Sequence, residues 1–145
     1  MSAYLVDSNV ILDLLTEDPV WADWSETILS EYGFSNDLCI NPFIYTEISI
    51  RFERIEDLEK AIELAAFRLL EIPKEALFLA GKAFLNYRKN RGRKASPLPD
   101  FYIGAHAAVA RLPVITRDPG RIGTYFPTVE LIAPDRNPPS QLEPL

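Results

Sequence analysis

Short apolar runs alternate along the chain with longer stretches of helical spacing. Residues 3–6, Ala-Tyr-Leu-Val, form a brief apolar run that stops at Asp7. Ser8-Asn9 separates this run from Val10-Ile11-Leu12 and Leu14-Leu15, an order that predicts a buried strand, a polar turn and a short helix. Val20, Trp21, Trp24, Ile28 and Leu29 recur at helical spacing over 20–33, with Gly33 as the stop. A second strand is expected over 38–40, closed by Asn41-Pro42, and Pro42 suits the first turn of a helix continuing over 43–54. Two further helices are expected. One covers 56–69, with Leu58, Ile62, Ala65, Ala66 and Leu69 on one side; the other covers 74–89, with Ala76, Leu77, Ala80, Ala83, Phe84 and Tyr87 turned inward. Leu70-Glu71-Ile72 between them reads as a short strand. Residues 89–99 lose all periodicity and are expected to form a loop. A helix then runs from Asp100 towards Arg111, followed by a strand over 113–116, a turn at Arg117-Asp118-Pro119-Gly120 and a last strand over 129–132. Residues 1–133 are thus expected to be one domain. The proline-rich stretch 134–145 reads as an extended or disordered tail.

Strands alternating with amphipathic helices predict an α/β fold, a parallel sheet with helices on both faces. Such sheets bind ligands beyond the carboxyl ends of their strands. The 145 residues suffice for one hydrophobic core, and 48% apolar residues argue against a disordered chain. The N-terminus has no basic segment leading into a long apolar one, and no stretch approaches a membrane span, so a cytoplasmic protein is expected. One cysteine and one histidine exclude an intrachain disulfide and a Cys/His zinc site. Cys39, within Leu38-Cys39-Ile40, reads as a small buried hydrophobe.

Four acids stand out by position. Asp7 follows the first strand and Asp118 follows the strand 113–116. Asp100 opens the helix leading into that strand, and Glu47 lies about one turn into the helix after the second strand. In a parallel sheet all four reach the same carboxyl-end edge. Glu47 also falls within the apolar arc of Phe43, Ile44, Ile48, Ile50 and Phe52, where a carboxylate needs a partner. Each acid has a plainer reading as well: Asp7 and Asp100 as helix caps, Asp118 as turn chemistry, Glu47 as an ion pair with Arg51. Clustered carboxylates repel one another unless a cation joins them, and hard oxygen donors favour Mg²⁺ or Mn²⁺. A metal-bound water can attack a phosphodiester, so the cluster points to phosphoryl hydrolysis.

Tyr4-Leu5-Val6-Asp7-Ser8-Asn9-Val10 resembles the first motif of PIN domains, and Tyr45-Thr46-Glu47 the second. Residues 99–107, Pro-Asp-Phe-Tyr-Ile-Gly-Ala-His-Ala, are similar to the third, although Tyr102, Gly104 and His106 stand where alanine is frequent. Ile115-Thr116-Arg117-Asp118 with Tyr125-Phe126-Pro127 is similar to the fourth, so the likeness spans residues 3–132. The compact size resembles the prokaryotic VapC-type toxins. The resemblance implies a Rossmann-like sheet of order 3-2-1-4-5 and a Mg²⁺- or Mn²⁺-dependent endoribonuclease, often a homodimer, inhibited by a small antitoxin protein. It implies Asp7, Glu47, Asp100 and Asp118 as the catalytic, metal-binding acids, with Asn9 and Thr116 as polar supports.

Net charge is −6, so RNA binding must rest on a metal and a local basic patch. Arg88, Lys89, Arg91, Arg93 and Lys94, just before Asp100, supply such a patch, or else a merely solvated loop. His106 is expected to be a packing or surface residue. Trp21 and Trp24 are expected to belong to the core or to an interface. Helices 56–69 and 74–89 offer a surface for an antitoxin helix or a dimer. Two other functions compete. One is a phosphohydrolase with a covalent aspartyl-phosphate at Asp7; it lacks a second acid, since residue 9 is asparagine, and has no lysine after strand 2 or strand 4. The other is a non-catalytic RNA- or protein-binding domain, which has no need of a buried Glu47.

Overall fold

The computed structural model describes residues 2–90, 92–93 and 98–135. It contains a five-stranded, all-parallel sheet of order β3-β2-β1-β4-β5, as the resemblance implies. The strands are β1 (Ala3–Val6), β2 (Asp37–Ile40), β3 (Arg68–Leu69), β4 (Val114–Ile115) and β5 (Leu131–Ile132). The helices are α1 (Ser8–Leu15), α2 (Ala22–Gly33), α3 (Pro42–Ser49), α4 (Ile55–Ala65), α5 (Lys74–Lys89), α6 (Pro99–Ala110) and α7 (Gly120–Tyr125). Central β1 pairs Ala3, Tyr4 and Leu5 with Asp37, Leu38 and Cys39 on one side, and Leu5 and Val6 with Val114 and Ile115 on the other. Leu5, Val6, Cys39, Ile40, Val114 and Ile115 are wholly buried, which a strand covered by helices on both faces requires. Cys39 is a free thiol in this layer, as its apolar setting suggests.

Several boundaries differ from the sequence pattern. The helix expected over 43–54 ends at Ser49, leaving Ile50 80% exposed rather than on the apolar arc. The helix expected to reach 69 stops at Ala65, because Ala66 turns into the left-handed region at φ 59°. The chain then pairs Arg68 and Leu69 with Cys39 and Ile40, so β3 lies before the expected 70–72. No glycine marks this stop, and the apolar spacing runs straight through it. Leu77, expected inward on α5, is half exposed. The turn at 117–120 leads into α7, a helix the pattern did not suggest. The basic residues Arg91 and Lys94, and the tail from 136 onward, lie outside the described residues.

α6 crosses the core as a nearly all-apolar helix, with residues 103–107 all buried. Gly104 permits its close approach to α7: a Cβ there would collide with the ring of Phe126, itself buried. The glycine is therefore a packing requirement where related motifs use alanine. His106 is also buried, and its Nδ1 lies 3.2 Å from Nδ2 of Asn41. Asn41 Oδ1 in turn accepts from the amides of Phe43 and Ile44, capping α3. Because that oxygen takes two donors, the amide nitrogen donates to His106, which requires an unprotonated Nδ1. Burial holds the imidazole pKa below its ordinary value, in keeping with a neutral ring. Phe43 and Tyr102 stack with centroids 3.8 Å apart and close the α3–α6 contact. Gly104→Ala should destabilise the protein by about 1–3 kcal/mol through overpacking against Phe126. Urea unfolding of the two proteins measures this; equal midpoints would show that Phe126 yields freely.

Candidate functional site

The carboxyl ends of β1 and β4 meet at Asp7 and Thr116. The Asp7 amide continues the parallel ladder, donating to the Ile115 carbonyl at 2.9 Å. Asp7 occupies the N-cap position of α1 but makes no side-chain cap bond. Its Oδ2 instead accepts from Thr116 Oγ1 at 2.8 Å and from Asn9 Nδ2 at 3.3 Å. Asn9 also reaches Thr116 Oγ1, and its Oδ1 accepts from the Arg117 amide. The Thr116 hydroxyl further accepts from the Asp118 amide at 3.0 Å. Asn9 and Thr116 thus orient Asp7 and hold the turn that carries Asp118.

Glu47 is half-buried, and its Oε1 accepts from Ser8 Oγ at 2.9 Å. The expected alternative, an ion pair with Arg51, is not what the carboxylate makes. Asp100 sits in the first turn of α6, where Leu98 and not Asp100 is the N-cap. Its Oδ2 accepts from Arg121 Nη1 at 3.2 Å. Asp118 is exposed.

The four acids share one electrostatic field. Burial raises the Asp7 pKa from its ordinary 3.8 to about 6, opposed by the Thr116 hydroxyl and reinforced by the charges of Asp100 and Glu47. Burial also raises Glu47, against the Ser8 hydroxyl and with a further push from Asp100. Burial likewise raises Asp100, with Arg121 opposing and Asp118 adding to the shift. Asp100 is thus the one of the four that acts on, or is acted on by, each of the other three. Among the described residues, no three acidic, histidine or cysteine side chains close on one point tightly enough to clasp an ion as they stand. What they form is a carboxylate-lined edge short of positive charge. Its donors are all oxygen, a set that fits Mg²⁺ or Mn²⁺ and not zinc. His106 faces Asn41 in the core and contributes nothing to it.

Sequence reasoning missed several contributors. Asp13, buried on α1, receives Arg117 Nε at 2.9 and 3.1 Å and the Ser25 hydroxyl at 2.9 Å. The Arg117 guanidinium also lies over the Trp21 ring, 5.4 Å from its centroid. This brace ties α1 and α2 to the turn bearing Asp118. An acid inside the apolar run Val-Ile-Leu-Asp-Leu-Leu was the available signal. Ser8 and Arg121 gave none, since each finds its partner only through the fold. Of the basic patch, Arg88 and Lys89 end α5 beside Tyr87, and Arg88 Nη1 donates to the Gly92 carbonyl. The ring of Tyr87 contacts Phe84, Phe101 and Tyr125, which places this end of α5 next to the first turn of α6.

The family model for the PIN domain matches residues 4–122, and the chain belongs to that family. Sequence comparison with curated proteins finds no match. Among solved structures, the chain is similar to VapBC2 from Rickettsia felis bound to a DNA fragment from their promoter: TM-score 0.69, 15% identity, 92% of this chain and 99% of the other covered. It is also similar to VapBC-1 from nontypeable Haemophilus influenzae, with TM-score 0.66, 21% identity, and 90% and 97% coverage. FitAcB from Neisseria gonorrhoeae gives TM-score 0.60, 22% identity, and 89% and 96% coverage.

Asp7 is 4% exposed, so its raised pKa bears on stability. The folded state holds the Asp7 proton more tightly than the unfolded state. The resulting stability is present below pH 3.8 and is lost as pH rises through about 6. Asp7→Asn keeps an acceptor for Thr116 without the charge. In metal-free buffer at pH 8 it should therefore raise stability by about 1–2 kcal/mol, an advantage that disappears below pH 4. Thermal melts across this range test the sign; a variant less stable at pH 8 would contradict it.

Proposed function

We propose that this chain is a Mg²⁺- or Mn²⁺-dependent endoribonuclease, the toxin half of a VapC-type toxin–antitoxin pair acting in the cytoplasm. The observation that carries the reading is the coupled set Asp7, Glu47, Asp100 and Asp118 at one sheet edge. Three of these acids are held above their ordinary pKa values, and among the described residues a single guanidinium is hydrogen-bonded to them. Such an arrangement costs stability and is accounted for by a divalent cation bound in use. A binding-only domain would gain nothing from it. Asp7, Glu47, Asp100 and Asp118 would hold the ion, which when bound supplies an activated water and stabilises charge on the phosphate. Thr116 and Asn9 fix the orientation of Asp7, and Ser8 fixes that of Glu47. Arg88, Lys89 and Arg93, with Arg91 and Lys94 of the same stretch, would grip the RNA backbone on this acidic protein. No helix among the described residues is long and apolar enough to cross a membrane.

A small antitoxin partner is supported by the structural neighbours, which are toxin–antitoxin complexes. Away from the acids lies an apolar groove of about 620 Å³ between α1, α2 and α4, lined by Leu14, Leu15, Leu29, Phe34, Phe52 and Ile62. Phe34 is 92% exposed beside it, and Glu26 and Asp37 sit among its lining residues. The groove suits the apolar face of a partner helix flanked by basic residues. A separate face on α5, with Leu77, Phe78 and Leu85 exposed, suits a second copy of the chain in a homodimer.

Protein freed of any partner should cleave RNA with Mg²⁺ or Mn²⁺ and fall silent in EDTA. Asp7→Asn and Asp100→Asn should each lose at least about a hundredfold in rate. Cleavage that persists in EDTA or in both variants would refute the metal-nuclease reading. Phe34→Asp should leave cleavage by the isolated protein intact but weaken its inhibition by the antitoxin encoded beside it. Unchanged inhibition would exclude the groove.

A further inference from the structure

Arg121 is, among the described residues, the cation that hydrogen-bonds one of the four acids, and the acid it holds is the one that interacts with each of the other three. Its Nη1 lies 3.2 Å from Asp100 Oδ2. Both side chains are about one-third exposed, so the pair is reachable from solvent and weakly held. The guanidinium also lies over the ring of Tyr87, 5.7 Å from its centroid. Tyr87 in turn is wedged against Phe84, Phe101 and Tyr125. One anchor of Arg121 is thus a broad aromatic face, which tolerates sliding, and the other is a single hydrogen bond to a carboxylate. A divalent ion drawn to Asp100 would compete with that bond and repel the guanidinium. A guanidinium freed from Asp100 but still resting on Tyr87 would present a planar fork that matches a phosphate in charge and shape.

We propose that Arg121 is the site's resident cation, which yields Asp100 to the divalent ion and then holds a phosphate of the RNA. The inference rests on the nuclease reading above. It assigns Arg121 opposite effects on the two ligands: it competes with the metal ion and assists the RNA.

Arg121→Gln and Arg121→Lys test this, with thermal melts to verify folding. Mn²⁺ binding is read by calorimetry. Binding of a short fluorescein-labelled single-stranded RNA is read by anisotropy in Ca²⁺. Arg121→Gln should bind Mn²⁺ about three- to fivefold tighter and RNA several-fold weaker, while Arg121→Lys, which keeps the charge without the planar fork, stays near the original protein for Mn²⁺ and falls between the two for RNA. An arginine that merely supports the fold would, on removal, weaken both ligands together, and that result overturns the proposal. Unchanged affinities for both also overturn it, and tighter Mn²⁺ with unchanged RNA overturns the phosphate role. Failure of the original protein to bind Mn²⁺ at all would instead remove the nuclease reading, and this inference with it.

Discussion

A carboxylate buried at the carboxyl end of the central strand is the constraint around which this protein is built. Asp7 cannot move away, because its own amide is part of the β1–β4 ladder. It cannot take a helix cap, because its side chain points to Thr116 and not back to the amides of α1. The neighbouring polar residues follow from this. Asn9 and Thr116 both donate to Asp7, and the same threonine oxygen accepts from the Asp118 amide. The Asp13–Arg117 pair steadies the turn from below, with Ser25 satisfying the remaining demand of the buried aspartate. Among the described residues no buried side-chain nitrogen or oxygen lacks a partner, so the polarity at this edge is organised and not tolerated.

The acids differ in how they are secured, and the difference bears on their chemistry. Asp7 is held by neutral hydroxyl and amide donors, which orient it without discharging it. Glu47 is held by one hydroxyl. Asp100 alone of the four, among the described residues, is hydrogen-bonded by a charged group. Among the described residues the cation that meets this edge thus does so at Asp100.

Much of the architecture was legible in the primary structure. Strands such as Ala3–Val6 and Asp37–Ile40 are short apolar runs ending in a polar residue, and parallel order places those ends together. The same geometry puts Asp7, Glu47 and Asp100 near one edge, where the structure couples them electrostatically. What escaped detection depends on tertiary contact. Ala66 ends α4 in a left-handed conformation that alanine does not advertise. The apolar spacing of α4 continues past that stop because Ala65 and Ala66 help to line a groove at the end of the helix. Ile50 looked like the same apolar arc as Ile48 but falls beyond the end of its helix. Arg121 was invisible because α7 follows an Asp-Pro-Gly segment that reads as a plain turn.

The bond between Asp7 and Thr116 spans 109 positions of sequence. While the chain is being synthesised, the first acid is made 109 residues before its partner. Until β4 emerges, Asp7 has no strand to pair with, Thr116 does not exist, and α6 has nothing beyond it against which to set Asp100. Loop closure on this scale comes late in folding. The order of synthesis is thus also a delay: a nascent chain that stops short of β4 carries Asp7, Glu47 and Asp100 without the edge that gathers them.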